Sequence, residues 1–158
     1  MNNSNNMSSL NEAKKFLKIA DHMVYITYPA MKEHRLLIKI LEQVNVVQKA
    51  IISFILQNEY NNKSVKLYAE PKVNFQTFLG CSTKYGLSSE NIDSIKQTAA
   101  LIEMHSTSPM EFVRHDQFII MSDNMHMESL TYEKVKNHLV QSKEMLENVE
   151  KTAKKPFP

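Results

Sequence analysis

The most chemically capable side chains that stand together in the sequence are Arg114, His115 and Asp116. An aspartate beside a histidine can orient the imidazole for general base catalysis, and an arginine can stabilise the anion that forms. The apolar run that follows predicts a strand, and consecutive residues of a strand point to opposite faces of a sheet. We therefore expect a salt bridge that anchors a hairpin, and an enzyme centred on these three residues is the alternative.

Six histidines and one cysteine are the other candidates for metal binding or nucleophilic chemistry. No two histidines are three or four residues apart, the spacing that places two ligands on one helix face. Cys81 has no activating motif beside it, which favours an ordinary buried thiol. Two isolated glycines cannot form a glycine-rich phosphate loop. The sequence therefore predicts no metal site and no cofactor, and a metal site assembled from distant elements is the less favoured alternative.

Basic side chains near the expected meeting point of the first two helices offer a surface for nucleic acid. These residues are Lys14, Lys15, Lys18, Arg35 and Lys39. Tyr25 and Tyr28 are close enough to interleave with them, which would combine phosphate contact with base stacking. A net charge of only +2 and a total of two arginines argue against a dedicated nucleic-acid binder. We favour a solvated charged face, and RNA association is the alternative.

Residues 33–60 form the stretch that must position these side chains. Apolar residues recur there at steps of three and four, the period of one helix face. They are Leu36, Ile40, Val44, Val47, Ile51 and Ile55. Neither glycine nor proline interrupts the pattern, and polar side chains break the apolar run, so it does not predict a membrane span. The pattern predicts one long helix that packs against more than one neighbour.

The remaining helices are predicted from their start and stop signals. Residues 9–28 carry an amphipathic pattern that begins with a capping box at Ser9 and Glu12 and ends before Pro29. This helix should pack against the long one as an antiparallel hairpin, because the link between them is short. Three further helices are predicted to begin at Pro71, at Ser88 or Ser89, and at Thr131.

Two short runs, Phe118–Met121 and Met125–Leu130, predict a β-hairpin around a turn at residues 122–124. An isolated hairpin is marginal in water, and the long helix has more apolar surface than its first neighbour covers. We therefore expect a protein partner or a homodimer, while coverage by the chain's own later helices is the alternative. The interface residues predicted on this basis are Phe54, Ile55, Phe118, Ile120 and Met127.

The composition favours helices joined by few turns, since the 158 residues include only two glycines and five prolines. The sequence predicts a mainly α fold, an antiparallel bundle of about five helices with a long first hairpin and a small β-hairpin before the last helix. Residues 1–8 are predicted as a disordered polar tail, 9–152 as a single helical-bundle domain and 153–158 as a short basic tail. The single cysteine and the absence of a secretory signal predict a cytoplasmic protein without a membrane segment.

The order of a long helical hairpin followed by shorter helices, over residues 10–105, resembles HEPN-type helical domains. The segment Ser108–Phe118 reads SPMEFVRHDQF and is similar to a segment carried by small uncharacterised archaeal helical proteins. HEPN ribonucleases carry an arginine followed four to six residues later by a histidine, and neither Arg35 nor Arg114 has a histidine at that distance. By analogy of fold, the resemblance therefore implies a dimeric binding or antitoxin partner rather than a nuclease.

These features together predict a non-catalytic protein that acts through protein–protein interaction, with a homodimer among the expected assemblies. An RNA-associated, HEPN-like protein that uses the basic residues is the first alternative. An enzyme centred on the arginine, histidine and aspartate described above is the second.

Overall fold

The computed structural model describes residues 2–154, with side chains described from Asn6 onward. Its elements in chain order are α1 (Asn2–His22), a π-helical turn (Met23–Thr27), α2 (Tyr28–Met31), α3 (Leu36–Asn61), α4 (Pro71–Cys81), a 3₁₀ turn (Ser82–Tyr85), α5 (Ser89–Thr107), β1 (Met110–Arg114), β2 (Gln117–Met121), β3 (Met127–Leu130) and α6 (Tyr132–Ala153). A small three-stranded sheet thus precedes the last helix of a helical bundle. This confirms the predicted mainly α fold, while most of the predicted basic tail lies outside the described residues.

Helix α3 packs against α1, α4, α5 and α6 and forms the centre of the bundle. Fourteen of its 26 residues are buried, which confirms the wide apolar face that the sequence predicted. Ile40, Val44, Val47 and Ile51 are each 0% exposed. Full burial of one such side chain contributes roughly 1.5–3 kcal/mol, so this helix is a major source of hydrophobic stabilisation.

The amino-terminal polar segment is helical, which corrects the predicted tail of residues 1–8. Helix α1 begins at Asn2, so Ser9 lies inside it and does not act as its cap. The reason is a tertiary contact, in which the buried Asn6 donates from Nδ2 to Oδ1 of Asn58 at 3.2 Å. Leu10 is also buried in the core. These contacts with the rest of the bundle stabilise a helix that local sequence pattern does not predict.

The first helical segment also continues past Pro29, where the sequence predicted its end. The π-helical turn shifts the backbone to i→i+5 pairing, and Pro29 lies in the first turn of α2. In this register the N–H of residue 29 would donate to the oxygen of Val24, but proline has no N–H. The hydroxyl of Tyr132 donates to that oxygen instead, at 2.7 Å. Helical structure ends only at Lys32, which has a left-handed φ of 52°.

The sheet is an antiparallel meander with the strand order β1-β2-β3. The predicted hairpin is present as β2 and β3, and β1 is an additional strand that the sequence analysis missed. Strand β1 pairs with β2 along its whole length, from Met110 opposite Met121 to Arg114 opposite Gln117. The hairpin therefore receives a partner strand from its own chain, and the sequence-based reason for an outside strand is removed.

Four of the five predicted interface residues are buried within this chain. The exposed fractions are 3% for Phe54, 0% for Ile55, 2% for Phe118 and 0% for Ile120, whereas Met127 is 48% exposed. The later helices and the sheet cover these four side chains within the chain itself, which is the alternative that the sequence left open. The homodimer itself stays a prediction, because it can use other surfaces.

Candidate functional site

The triplet proposed for catalysis does not assemble into a catalytic group. Arg114 ends β1, and the exposed His115 and Asp116 form the tight turn to β2. His115 has a left-handed φ of 54°, which this two-residue turn requires. Oδ1 of Asp116 lies 3.6 Å from Nε2 of His34, at the entry to α3. The fully exposed carboxylate thus contacts His34 rather than its neighbouring histidine, so it does not orient His115 as the partner of a general base would. An ion pair this exposed contributes little to stability.

A shallow cavity of about 690 Å³ lies beside this turn, between α2 and the start of α6. The rings of Tyr28 and Tyr132 are stacked there, with centroids 4.8 Å apart. Burial, followed by the negative charge of Asp116, raises the pKa of Tyr28 above its ordinary value. Its phenol therefore stays protonated at neutral pH, which does not suit a general base.

The basic residues proposed for nucleic acid are largely engaged within the chain. Two of them lie near carboxylate oxygens, Lys14 at 3.4 Å from Glu150 and Lys39 at 3.8 Å from Glu42. Lys15 lies 5.6 Å from the ring centroid of Phe16, and Arg35 lies 6.0 Å from the ring centroid of Phe118. Two of the five charges are therefore offset by carboxylates and two more lie over aromatic rings. This arrangement favours the solvated charged face over a phosphate-binding surface.

A large groove that the sequence analysis missed lies between α3, α4 and α5, with a volume of about 970 Å³. Its apolar lining comes from all three helices and the loop before α4, and includes Ile52, Leu56, Leu67, Phe75, Ile95 and Ala99. The groove exists because α4 buries only one residue completely, Phe78, and leaves the adjacent face of α3 partly uncovered. The signal in the sequence was the width of the α3 apolar face, which exceeds what its neighbours cover.

Three lysines edge this groove, one from each helix: Lys49 on α3, Lys72 on α4 and Lys96 on α5. All three are exposed, and none forms an ion pair with any part of the chain that the structure describes. Glu103 is the one acidic residue in the lining. The groove therefore combines an apolar floor with a positive rim.

A buried polar network supports the floor of the groove from behind. Nε2 of Gln48 donates to Oγ of Ser94 and to Oγ of Ser142, at 3.2 Å in both cases. Ser94 Oγ in turn lies 2.7 Å from Nδ1 of His138. These bonds join α3, α5 and α6 at one level and so hold α3 and α5, two of the three helices that form the groove, at a fixed spacing.

The pair Ser94 and His138 has the separation of a nucleophile and its base, but a substrate cannot reach it. The two residues are 3% and 4% exposed. Burial, followed by the positive charge of Lys134, lowers the pKa of His138 below its ordinary value. The histidine is therefore neutral at pH 7, and the pair has a structural role.

A second buried network holds the far end of α3. The carboxylate of Glu59, 2% exposed, accepts hydrogen bonds from Lys84 at 2.9 Å and from the hydroxyl of Tyr85 at 2.7 Å. Burial alone would raise the pKa of Glu59, but these hydrogen bonds outweigh it and the net pKa is lowered. Burial, together with the negative charge of Glu59, raises the pKa of Tyr85. The network therefore contains a charged carboxylate and a neutral phenol.

A third polar cluster joins the bundle to the sheet. Nδ1 of His105 lies 2.5 Å from a carboxylate oxygen of Glu111 on β1, and its Nε2 lies 3.4 Å from Glu42 on α3. Sequence spacing gave no indication of this cluster, because its members come from three separate elements. Within residues 2–154, no group of three or more histidine, cysteine, aspartate or glutamate side chains is arranged to hold a metal ion.

Comparison with known proteins gives no match, since no family model, no curated protein and no solved structure matches this chain. The resemblance to HEPN-type domains therefore stays a prediction. None of the helices described between residues 2 and 154 combines the length and apolar character that crossing a membrane requires. Cytoplasmic localisation also stays a prediction.

Proposed function

We propose that this protein is a non-catalytic binding protein whose groove between α3, α4 and α5 receives an acidic amphipathic helix from a protein partner. The observation that carries the proposal is the apolar floor edged by Lys49, Lys72 and Lys96. An unpaired cation at the rim of an apolar surface favours a ligand that presents apolar side chains to the floor and carboxylates to the edge.

The dimensions of the groove support a helical ligand. Its lining on α3 extends from Asn45 to Gln57, which is roughly 18 Å along the helix axis. This length matches about three turns of a bound helix, whose apolar residues recur at i, i+3 or i+4, and i+7. Ile52, Phe75 and Ile95 offer one apolar contact from each wall. The bound helix would complete the covering of α3 that α4 leaves open.

The first experiment measures binding of a fluorescent acidic amphipathic peptide of about 14 residues, with leucines at the helix-face positions and glutamates on the flanks. We expect saturable binding in the micromolar range that weakens as salt increases, because rim charges are screened. A peptide of the same composition in scrambled order tests the apolar face, and a peptide with lysines in place of the glutamates tests the charge. Equal binding of all three peptides would contradict the proposal.

Charge-reversal variants locate the binding surface. Lys49→Glu, Lys72→Glu and Lys96→Glu in one chain should weaken binding of the acidic peptide at least about tenfold. The matched control is the triple change of three lysines outside the groove lining, Lys15→Glu, Lys18→Glu and Lys154→Glu, which should leave the affinity within about twofold. The proposal fails if both triple variants lose binding to the same extent.

A second copy of the chain is the other occupant that the experiments must recognise. Light scattering over a concentration series measures the mass in solution, and the 18.3 kDa chain remains monomeric if the groove is reserved for a different protein. A dimer that dissociates when the acidic peptide is added would assign the groove to the homodimer. A dimer that the peptide leaves intact would place the self-association elsewhere.

A further inference from the structure

Four of the ten methionines lie at one end of the sheet: Met110, Met121, Met125 and Met127. Three of them form a row across the strands, because Met110 pairs with Met121 and Met121 pairs with Met127. Directly opposed side chains on neighbouring strands point to the same face of a sheet. The three thioethers of this methionine row therefore stand side by side on one face.

The methionine row lies on the face of the sheet opposite the side chains that enter the core of the bundle. Phe118 and Ile120 point into that core and are 2% and 0% exposed, and the alternation along β2 places Met121 on the opposite side. Ile119 shares the face of Met121 and is 7% exposed, so this face is covered at its centre and open at the methionine row. Met110 and Met127, on either side of it, are 56% and 48% exposed. The outer two backbones are roughly 10 Å apart, since neighbouring strands are separated by about 4.8 Å. Flexible methionine side chains can close this distance above Met121.

The turn between β2 and β3 adds one more candidate ligand to this end of the sheet. The N–H of Met125 donates to the oxygen of Ser122 at 2.9 Å, so the turn is closed next to the methionine row. Met125 is 75% exposed. His126 is not a ligand on this face, because its Nε2 lies 2.8 Å from Oε1 of Glu128, and Glu128 lies on the face of β3 opposite Met127.

We propose that the methionine row binds one monovalent copper ion through its thioether sulfurs, with Met125 able to complete the coordination. Thioethers are soft, uncharged donors, so they bind Cu(I) and Ag(I) and discriminate against Mg²⁺, Ca²⁺ and Zn²⁺. Because the site lies on the sheet and away from the groove, it is independent of the proposed peptide binding.

The test uses the full chain labelled with ¹³C at the methionine methyl groups and titrated with Ag(I), a redox-stable probe. Cys81→Ala serves as the background, because a thiol also binds soft metals. We expect methyl shifts at the methionine row that saturate at one ion per chain, with the methyl groups of distant methionines unchanged. Shifts spread over all methionines, or none at the row, overturn the proposal.

Competition with a chromophoric Cu(I) chelator under anaerobic conditions gives the affinity. The triple change Met110→Leu, Met121→Leu and Met127→Leu conserves side-chain volume and should lower the Cu(I) affinity at least about tenfold. The matched control changes two exposed methionines and one partly buried one elsewhere, Met7→Leu, Met31→Leu and Met23→Leu, and should leave it unchanged. Equal affinity of the two variants overturns the proposal.

X-ray absorption of the copper complex tests the ligands directly. We expect a first coordination shell made mainly of sulfur. A shell of nitrogen and oxygen alone would assign the ion to histidines and overturn the proposal. Circular dichroism melts of each variant verify that a loss of binding does not come from unfolding.

Discussion

The hydroxyl of Tyr132 donates a 2.7 Å hydrogen bond to the backbone oxygen of Val24, although the two residues are 108 positions apart. The bond joins the first residue of α6 to the π-helical turn after α1. The hydroxyl supplies the Val24 oxygen with the donor that Pro29 lacks, because proline has no N–H. A side chain near the end of the chain therefore stabilises an irregular turn near its beginning. The ring of the same tyrosine stacks on Tyr28 at a centroid distance of 4.8 Å.

Tyr132→Phe should lower the free energy of unfolding by about 1–2 kcal/mol, because the ring remains but the Val24 oxygen loses its donor. Chemical denaturation measures the change. Tyr25→Phe is the matched control, since the Tyr25 hydroxyl forms no hydrogen bond within the described part of the chain, and it should change stability by less than about 0.5 kcal/mol. Equal effects of the two changes would show that the hydrogen bond does not stabilise the turn.

Val47→Ala should destabilise the protein by roughly 1–3 kcal/mol, because Val47 is 0% exposed on the central helix and its truncation leaves a cavity. Val140→Ala provides the control, as Val140 lies on helix α6 and is 43% exposed. Both changes raise helix propensity equally, so the difference between them isolates the packing term. Thermal and denaturant unfolding measure it, and an indistinguishable pair of melts would exclude Val47 from the core.

Glu59 should make the protein sensitive to acid. The pKa of Glu59 in the folded state lies below the ordinary value of a glutamate, so the stabilisation is complete above that ordinary value and is lost as the pH falls through the folded pKa. Glu59→Gln should lower stability at pH 7 and flatten the pH dependence below about pH 5. The control Glu147→Gln changes a carboxylate whose side chain is 68% exposed, and it should leave the acid profile unaltered. If the stability of Glu59→Gln falls with pH in parallel with that of the unchanged protein, this carboxylate is not the source of the acid sensitivity.

His138 should contribute a second acid-sensitive component at higher pH. Its pKa is lowered in the folded state, so the unfolded chain takes up a proton first and stability falls as the pH drops below about 6.5. His138→Gln should reduce the slope of stability against pH between about pH 7 and 5. His22→Gln changes an exposed histidine and serves as the comparison. A slope that persists in His138→Gln would assign the proton uptake to another residue.

The central helix and several helix starts could be predicted because their signals are local. The apolar period of α3 is unbroken, and Ser88 and Thr131 cap α5 and α6 with their own side chains, as predicted. Strand β1 was missed because its connecting turn contains His115 at φ 54° instead of a glycine or asparagine. The helical start of α1 was missed because it depends on a tertiary contact, the hydrogen bond between Asn6 and Asn58.

The candidate sites were harder to predict than the fold, because each depends on spacing between elements. The groove arises because α4 leaves part of the α3 surface uncovered. The distance between two helices cannot be predicted from the sequence pattern of either one. The methionine row depends on strand register, which sets Met121 between Met110 and Met127. Adjacency in the sequence instead indicated Arg114, His115 and Asp116 as candidate catalytic residues, and the fold places them at an exposed turn.

The π-helical turn of residues 23–27 has a consequence for the tolerance of this segment to single-residue deletions. Such a turn holds one residue more than an α-helical turn of the same rise, which is how a one-residue insertion is absorbed without ending a helix. Deleting one residue inside this turn would therefore restore an α-helical turn and leave the later side chains in their present orientation, so that Tyr28 would still stack on Tyr132. Deleting one residue from the regular helix before the turn would instead rotate every later side chain by about 100° relative to the residues that precede the deletion.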